Sequence, residues 1–118
     1  MRWFEKLAGY IEKRGGKRQL FRKGPDGKPV LYMERYYLVK SPICEIMLHN
    51  FHQGDRPDLH DHPWASGGVI LSEGYREHTP KGVAEKRAGS WGFRGSKSFH
   101  WVELRPNTEG KVWTLFFT

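Results

Sequence analysis

The spacing of apolar positions changes once along this chain, near Gly15-Gly16. Before that point Trp3, Phe4, Leu7, Ala8 and Ile11 recur at helical spacing, so residues 2–14 read as a short amphipathic helix stopped by the glycine pair. A helix this short depends on docking for its stability. After that point the apolar runs are short and rich in β-branched and aromatic residues. Phe21 to Tyr32 reads as two strand ends around Pro25-Asp26-Gly27. Arg35–Val39 and Ile43–His52 are strand-like segments split by Ser41-Pro42. Gly67–Ser72 is a short apolar strand, Tyr75–Thr79 and Val83–Arg87 flank a turn at Pro80-Lys81-Gly82, and Phe99–Leu104 and Val112–Phe117 complete the series. About eight to ten short strands at intervals of roughly 8–12 residues, with no βαβ alternation, predict an all-β antiparallel sandwich or barrel.

Composition supports one domain. A chain of 118 residues with five Trp, seven Phe and five Tyr has the aromatic area a small core needs. Fourteen Gly and seven Pro suit many tight turns. The helix and first hairpin, residues 1–34, are expected as an N-terminal extension packed on a β-barrel of residues 35–118.

Charge separates these parts. Residues 1–40 carry 11 Lys/Arg against 4 Asp/Glu, whereas residues 41–118 carry 9 of each. The block Lys13-Arg14-Gly15-Gly16-Lys17-Arg18, followed by Arg22-Lys23, can track nucleic-acid phosphates or a partner's anionic surface; the alternative is a solvated flank. No apolar run is long enough to predict a membrane-spanning helix, and the start of the sequence lacks the pattern of a secretion signal. Cys44 is the only cysteine, so no intrachain disulfide forms and a cytoplasmic location is expected, with Cys44 itself read as a small buried apolar residue.

All six histidines lie in the neutral part of the chain. His60 and His62, in Gly54-Asp55-Arg56-Pro57-Asp58-Leu59-His60-Asp61-His62-Pro63-Trp64, fall on one face of a strand because side chains alternate with a period of 2. Pro63 pushes His62 toward extended angles. Two imidazoles side by side make a half-site for a divalent metal; the competing reading is two polar residues on an exposed strand.

These residues resemble the cupins, small jelly-roll barrels. Their first motif runs Gly, five residues, His-x-His, three or four residues, Glu, six residues, Gly. Here Gly54, His60-Asp61-His62, Gly67 and Gly74 keep that frame, with Gly67 at the acidic position. The second motif runs Gly, five residues, Pro-x-Gly, two residues, His; Gly89, Gly95-Ser96-Lys97 and His100 keep the frame and the histidine. The chain also resembles small phage and bacterial cupin-like proteins marked by His-Asp-His-Pro-Trp, through Arg35-Tyr36-Tyr37-Leu38, Gly74-Tyr75-Arg76-Glu77 and Trp113-Thr114-Leu115.

The resemblance implies a single-domain cupin-type jelly-roll (double-stranded β-helix) barrel with a short N-terminal helix. It also implies a divalent metal (Fe, Mn, Ni or Zn) held by His60, His62 and His100. Glu77 or His49 is the candidate additional ligand or acid/base in place of the missing carboxylate, and Gly67 and Gly68 are expected to leave room beside the metal. Tyr75, Trp64 and Trp101 are candidate pocket-lining residues, with core or rim packing as the rival reading for Trp64, Trp91 and Trp101. Arg94 and Lys97, in the Gly-rich stretch before His100, are candidates for steering an anion, with a solvated loop as the rival reading. Asp61 is expected to fix a loop, and His52 and His78 are expected at the surface. Three functions remain open: a metal enzyme of dioxygenase or isomerase type acting on a small molecule, a non-catalytic metal-stabilised binding or regulatory module, and a metal-free barrel. A homodimer that buries the Trp3/Phe4 face is expected.

Overall fold

The computed structural model describes residues 2–53, 66–94 and 100–118. Helix α1 runs Trp3–Lys13, and its ends have identifiable causes. Glu5 Oε1 accepts from the Arg2 backbone N–H at 3.2 Å and from Arg2 Nε at 2.9 Å, which closes the first turn. At the other end Gly15 N–H donates to Glu12 O and Gly16 N–H to Ile11 O, the Schellman pattern, with Gly15 at φ +80°. The expected glycine stop is therefore where the helix ends.

Nine strands follow among the described residues: β1 Lys17–Lys23, β2 Pro29–Lys40, β3 Glu45–Phe51, β4 Ser66–Ser72, β5 Gly74–Thr79, β6 Gly82–Arg87, β7 Trp91–Arg94, β8 Trp101–Glu103 and β9 Val112–Phe117. All paired neighbours are antiparallel. They form a six-stranded sheet in the order β1-β2-β3-β9-β4-β7 and a three-stranded sheet in the order β6-β5-β8. No described helix is long and apolar enough to cross a membrane.

Three elements differ from the sequence reading. The segments Val30–Tyr32 and Arg35–Val39 belong to one strand, β2. Glu34 interrupts the apolar pattern yet stays in the strand, because Lys17, His52 and Gln19 converge on its carboxylate. β7 lies in a stretch read as Gly-rich loop. It is a four-residue edge strand whose pairing with β4 places Trp91 opposite Val69 and Phe93 opposite Gly67. Cys44 is exposed, because it falls in the turn before β3, where Ser41 Oγ accepts from its N–H at 3.1 Å.

Both faces of the large sheet are covered, which follows from strand alternation. On one face Tyr36, Leu48 and Trp113 pack against Phe4, Ala8 and Ile11 of α1. Tyr36 and Trp113 stack at 5.7 Å, and Phe4 meets the same indole at 5.6 Å. On the other face Met33, Phe51 and Val112 pack with Tyr75 and Leu104 from the small-sheet side. The helix thus completes the outer layer of the β-structure.

Glu34, 9% exposed, ties β1, β2 and the end of β3 together. Its Oε2 lies 2.8 Å from Lys17 Nζ and its Oε1 2.9 Å from His52 Nε2. His52 is therefore half-buried and paired, where the sequence reading put it at the surface. Burial pushes the Glu34 carboxyl up, but the hydrogen bonds from Lys17, His52 and Gln19 outweigh it and hold it below its ordinary value. The same contact with Glu34 raises Lys17 well above its ordinary range.

Two outcomes follow. A carboxyl depressed in the folded state stabilises the fold above its unfolded pKa, and that stability is lost as pH falls through the carboxylate range. Glu34→Gln should therefore cost about 1.5–3 kcal/mol at neutral pH and much less near pH 3, read by urea unfolding at both pH values. Gly74, at φ +108°, leaves no room for a Cβ, which would collide with the Lys86 carbonyl. Gly74→Ala should destabilise by about 1–3 kcal/mol or more, seen as a lower denaturation midpoint at unchanged slope.

Candidate functional site

The inner face of the large sheet and the facing side of the small sheet enclose a cavity of about 670 Å³. Alternation decides which side chains reach it. From β3 these are Met47, His49 and Phe51; from β9, Thr114 and Phe116; from β2, Met33 and Arg35. From the small sheet Tyr75, Glu77 and Thr79 of β5 line it, with His100 and Val102 at β8. The walls combine apolar area with a few convergent polar groups.

Two of those groups meet. Glu77 is 7% and His100 8% exposed, and His100 Nδ1 lies 3.5 Å from Glu77 Oε2. Glu77 sits opposite Val102 in the β5–β8 ladder, so His100, two residues back on the same face, is its diagonal neighbour. Glu77 is thus an interior carboxylate, while its neighbour Arg76 faces outward and pairs with Glu85 at 2.7 Å.

The third buried group, His49, is 5% exposed and comes from the opposite sheet. Arg35 stands directly across from it in the β2–β3 ladder, and Arg35 Nε donates to His49 Nε2 at 3.2 Å. A ring nitrogen that accepts carries no proton, so this contact places the neutral imidazole's proton on Nδ1. Phe116 stacks on the ring at 5.0 Å and 22°, and Phe51 meets it edge-on at 6.1 Å. His49 is therefore held by a cation on one side and by aromatic rings around it.

The remaining sequence candidates are distributed as follows. His60, Asp61, His62, Trp64 and Lys97 lie outside the described residues, and Arg94 is the last residue of edge strand β7. Tyr75 lines the cavity. Trp101 does not: His100 and Val102 point inward, so alternation turns Trp101 to the opposite face, where it stacks on His78 at 3.6 Å and 9°. His78 also contacts Glu103 at 2.8 Å and is half-buried, where a surface position was expected. Trp91 is 79% exposed and lines the cavity, so the rim position fits it and the core position does not.

Gly67 and Gly68 both line the cavity, and their missing side chains also set how closely β4 approaches its neighbours. A Cβ on Gly67 would come within 2.7 Å of the Phe117 ring, and one on Gly68 within 2.7 Å of the Leu115 carbonyl. These glycines let β4 approach β9 closely. Gly67 lines the cavity with its backbone, while a Cβ there would point toward the Phe117 ring of the paired strand.

Two lining residues had no sequence signal. Arg35 was read as part of a strand and of the resemblance segment Arg35–Leu38 with no role at the site, and its place opposite His49 depends on a register that neither segment displays alone. Ser66, 1% exposed, lines the cavity with a hydroxyl that has no hydrogen-bond partner among the described residues.

Among the described residues no group of three His, Cys, Asp or Glu is close enough to hold a metal ion. The His100–Glu77 pair fits as part of such a site. It offers one imidazole and one carboxylate, both buried and on a cavity wall, a donor set suited to Fe, Mn, Ni or Zn.

No protein-family model and no curated protein sequence matches the chain. Solved structures do match in fold. A cupin superfamily protein from Desulfitobacterium hafniense DCB-2 superposes with a TM-score of 0.60 at 13% identity, covering 84% of this chain and 96% of that one. A cupin-2 domain protein from Shewanella frigidimarina NCIMB 400 gives 0.58 at 7% identity, over 71% of this chain and 78% of that one. Fe(II)-HppE with the alternative substrate (S)-1-HPP gives 0.59 at 14% identity, over 86% of this chain and 56% of that one. At these identities the likeness is one of architecture: the chain has the cupin fold, a jelly-roll barrel preceded by one short helix.

Proposed function

We propose that this protein binds a divalent metal inside the barrel and uses it on a small molecule held in the cavity. His60, His62 and His100 are the ligands in this reading, and Glu77 takes the place of the carboxylate that Gly67 does not supply. The observation that carries it is the buried His100–Glu77 pair at 3.5 Å on the cavity wall. An imidazole and a carboxylate buried together on a cavity wall are costly unless they serve each other or a ligand. The histidine frame at residues 54–67 and the likeness to the small His-Asp-His-Pro-Trp proteins support the same reading.

A metal here would supply Lewis acidity and exchangeable positions for a substrate oxygen. The chain's own residues divide the remaining work. Glu77, beside His100 Nδ1, either adds a ligand oxygen or holds the ring in orientation, as carboxylates beside ligand histidines do. Met47, Val102 and Phe116 form apolar walls that exclude water from a bound molecule. Dioxygenase-like or isomerase-like chemistry is the activity we assign, with the Fe(II) of one structural neighbour as support for iron. The missing acidic residue at position 67 favours a second reading, a metal-stabilised binding module without turnover.

Elemental analysis of untagged protein tests the proposal. Wild type should retain Fe, Mn, Ni or Zn stoichiometrically, His100→Ala should lose it, and Glu77→Gln should weaken it by about 10–100-fold, with thermal melts confirming that each variant folds. A wild type that holds none of the four metals after anaerobic loading would refute it. A loaded protein that is stabilised by small acids without converting them would favour the binding module.

A further inference from the structure

Arg35 is half-buried like Lys17 and His52, but it does not share their carboxylate partner. Lys17 is matched by Glu34 and Glu12, and His52 shares Glu34. Arg35 lines the cavity, yet its partners are neutral acceptors: Nε donates to His49 Nε2 at 3.2 Å, and Nη1 to the Tyr37 hydroxyl at 3.4 Å. No carboxylate among the described residues forms an ion pair with it. A guanidinium keeps its charge at any accessible pH, so a fixed positive charge lines the cavity with neutral groups as its direct partners.

The residues around it keep the group in place. Arg35 and Tyr37 lie two apart on β2 and share a face, and His49, directly opposite on β3, is clamped by Phe116. Three of the guanidinium's five N–H donors remain beyond the contacts to His49 and Tyr37. The rest of the described wall leans the same way: Lys81 and Lys86 from the β5–β6 hairpin line the cavity with Arg35, against Glu45 and Glu77. Met33, Met47, Phe51 and Phe116 supply apolar surface beside the charge.

We infer that Arg35 is the recognition group for a small-molecule carboxylate, held by the guanidinium fork with its apolar body along Met47 and Phe116. The assignment deepens the metal-site reading and rests on it for the role of the cavity. A planar carboxylate matches the guanidinium fork, and the apolar surface of Met33, Met47, Phe51 and Phe116 beside it suits the body of an organic acid better than a bare inorganic anion. His49 is then a positioning residue: its Nε2 aims Arg35 and is engaged in doing so.

Calorimetric titration of the full chain with hexanoate, methyl hexanoate and inorganic phosphate tests this, with metal-free and Zn(II)-loaded samples run in parallel. Hexanoate should bind about tenfold or more tightly than its ester and than phosphate, and Arg35→Met should abolish that preference while leaving metal content unchanged. If Arg35→Met does not fold, Arg35→Lys, which keeps the charge and loses the fork, should weaken hexanoate by about threefold or more. Equal binding of acid and ester, phosphate binding as well as hexanoate, or hexanoate binding unchanged in the folded variant would overturn the assignment. Metal loss in Arg35→Met would overturn it too, by making Arg35 a support of the metal site. Metal content of the wild-type samples reads the earlier proposal separately, since the metal-free titration tests Arg35 whether or not a metal binds.

Discussion

The register of β2, β3 and β9 is the constraint on which the rest of this structure depends. These strands form the centre of a sheet that is buried on both sides, so every residue on them has an assigned face. A slip by one position would turn His49 and Arg35 toward the helix and Leu48 and Tyr36 toward the cavity. Such an exchange would bury charge among Phe4, Ala8 and Ile11, which the apolar side cannot solvate. The layer that gives the fold its stability therefore also sets the orientation of the polar groups. Helix α1 contributes to the site without touching it, by burying Tyr36, Leu48 and Trp113 on the opposite face of the sheet.

Inside the barrel the chemistry is divided between the two sheets. The small sheet brings a carboxylate and an imidazole together through a diagonal pair on adjacent strands. The large sheet contributes a guanidinium and an imidazole through a directly opposed pair, with an aromatic ring behind the second. Each pair is held by backbone pairing, so the polar groups are arranged before any ligand arrives. Binding sites built on strands in this way lose little in ordering their side chains.

Much of this architecture was legible in the sequence. Helical spacing up to Ile11 and the Gly15-Gly16 stop locate α1 to within a residue, because the C-terminal hydrogen bonds need those glycines. Glu77 was legible as an inward residue from its distance to Tyr75, and His100 from the spacing that follows Gly89. Trp101 shows the opposite case. The alternation that sends His100 inward sends its neighbour outward, and reading aromatic residues as pocket walls overrode that rule. β7 was not legible because a four-residue edge strand containing a glycine is defined by its partner more than by its own residues. Arg35 was hidden for a related reason. Its meaning comes from standing across from His49, and the pairing passes through a strand in which Leu38 has no counterpart.

That unmatched Leu38 has a further consequence. Tyr37 pairs with Met47 and Val39 with Ile46, so β2 already carries one surplus residue between the cavity and the Ser41–Cys44 turn. The ladder has slack there. Gains or losses of length in the turn can be absorbed at the bulge before they reach Arg35, which leaves that end of the hairpin open to evolutionary drift.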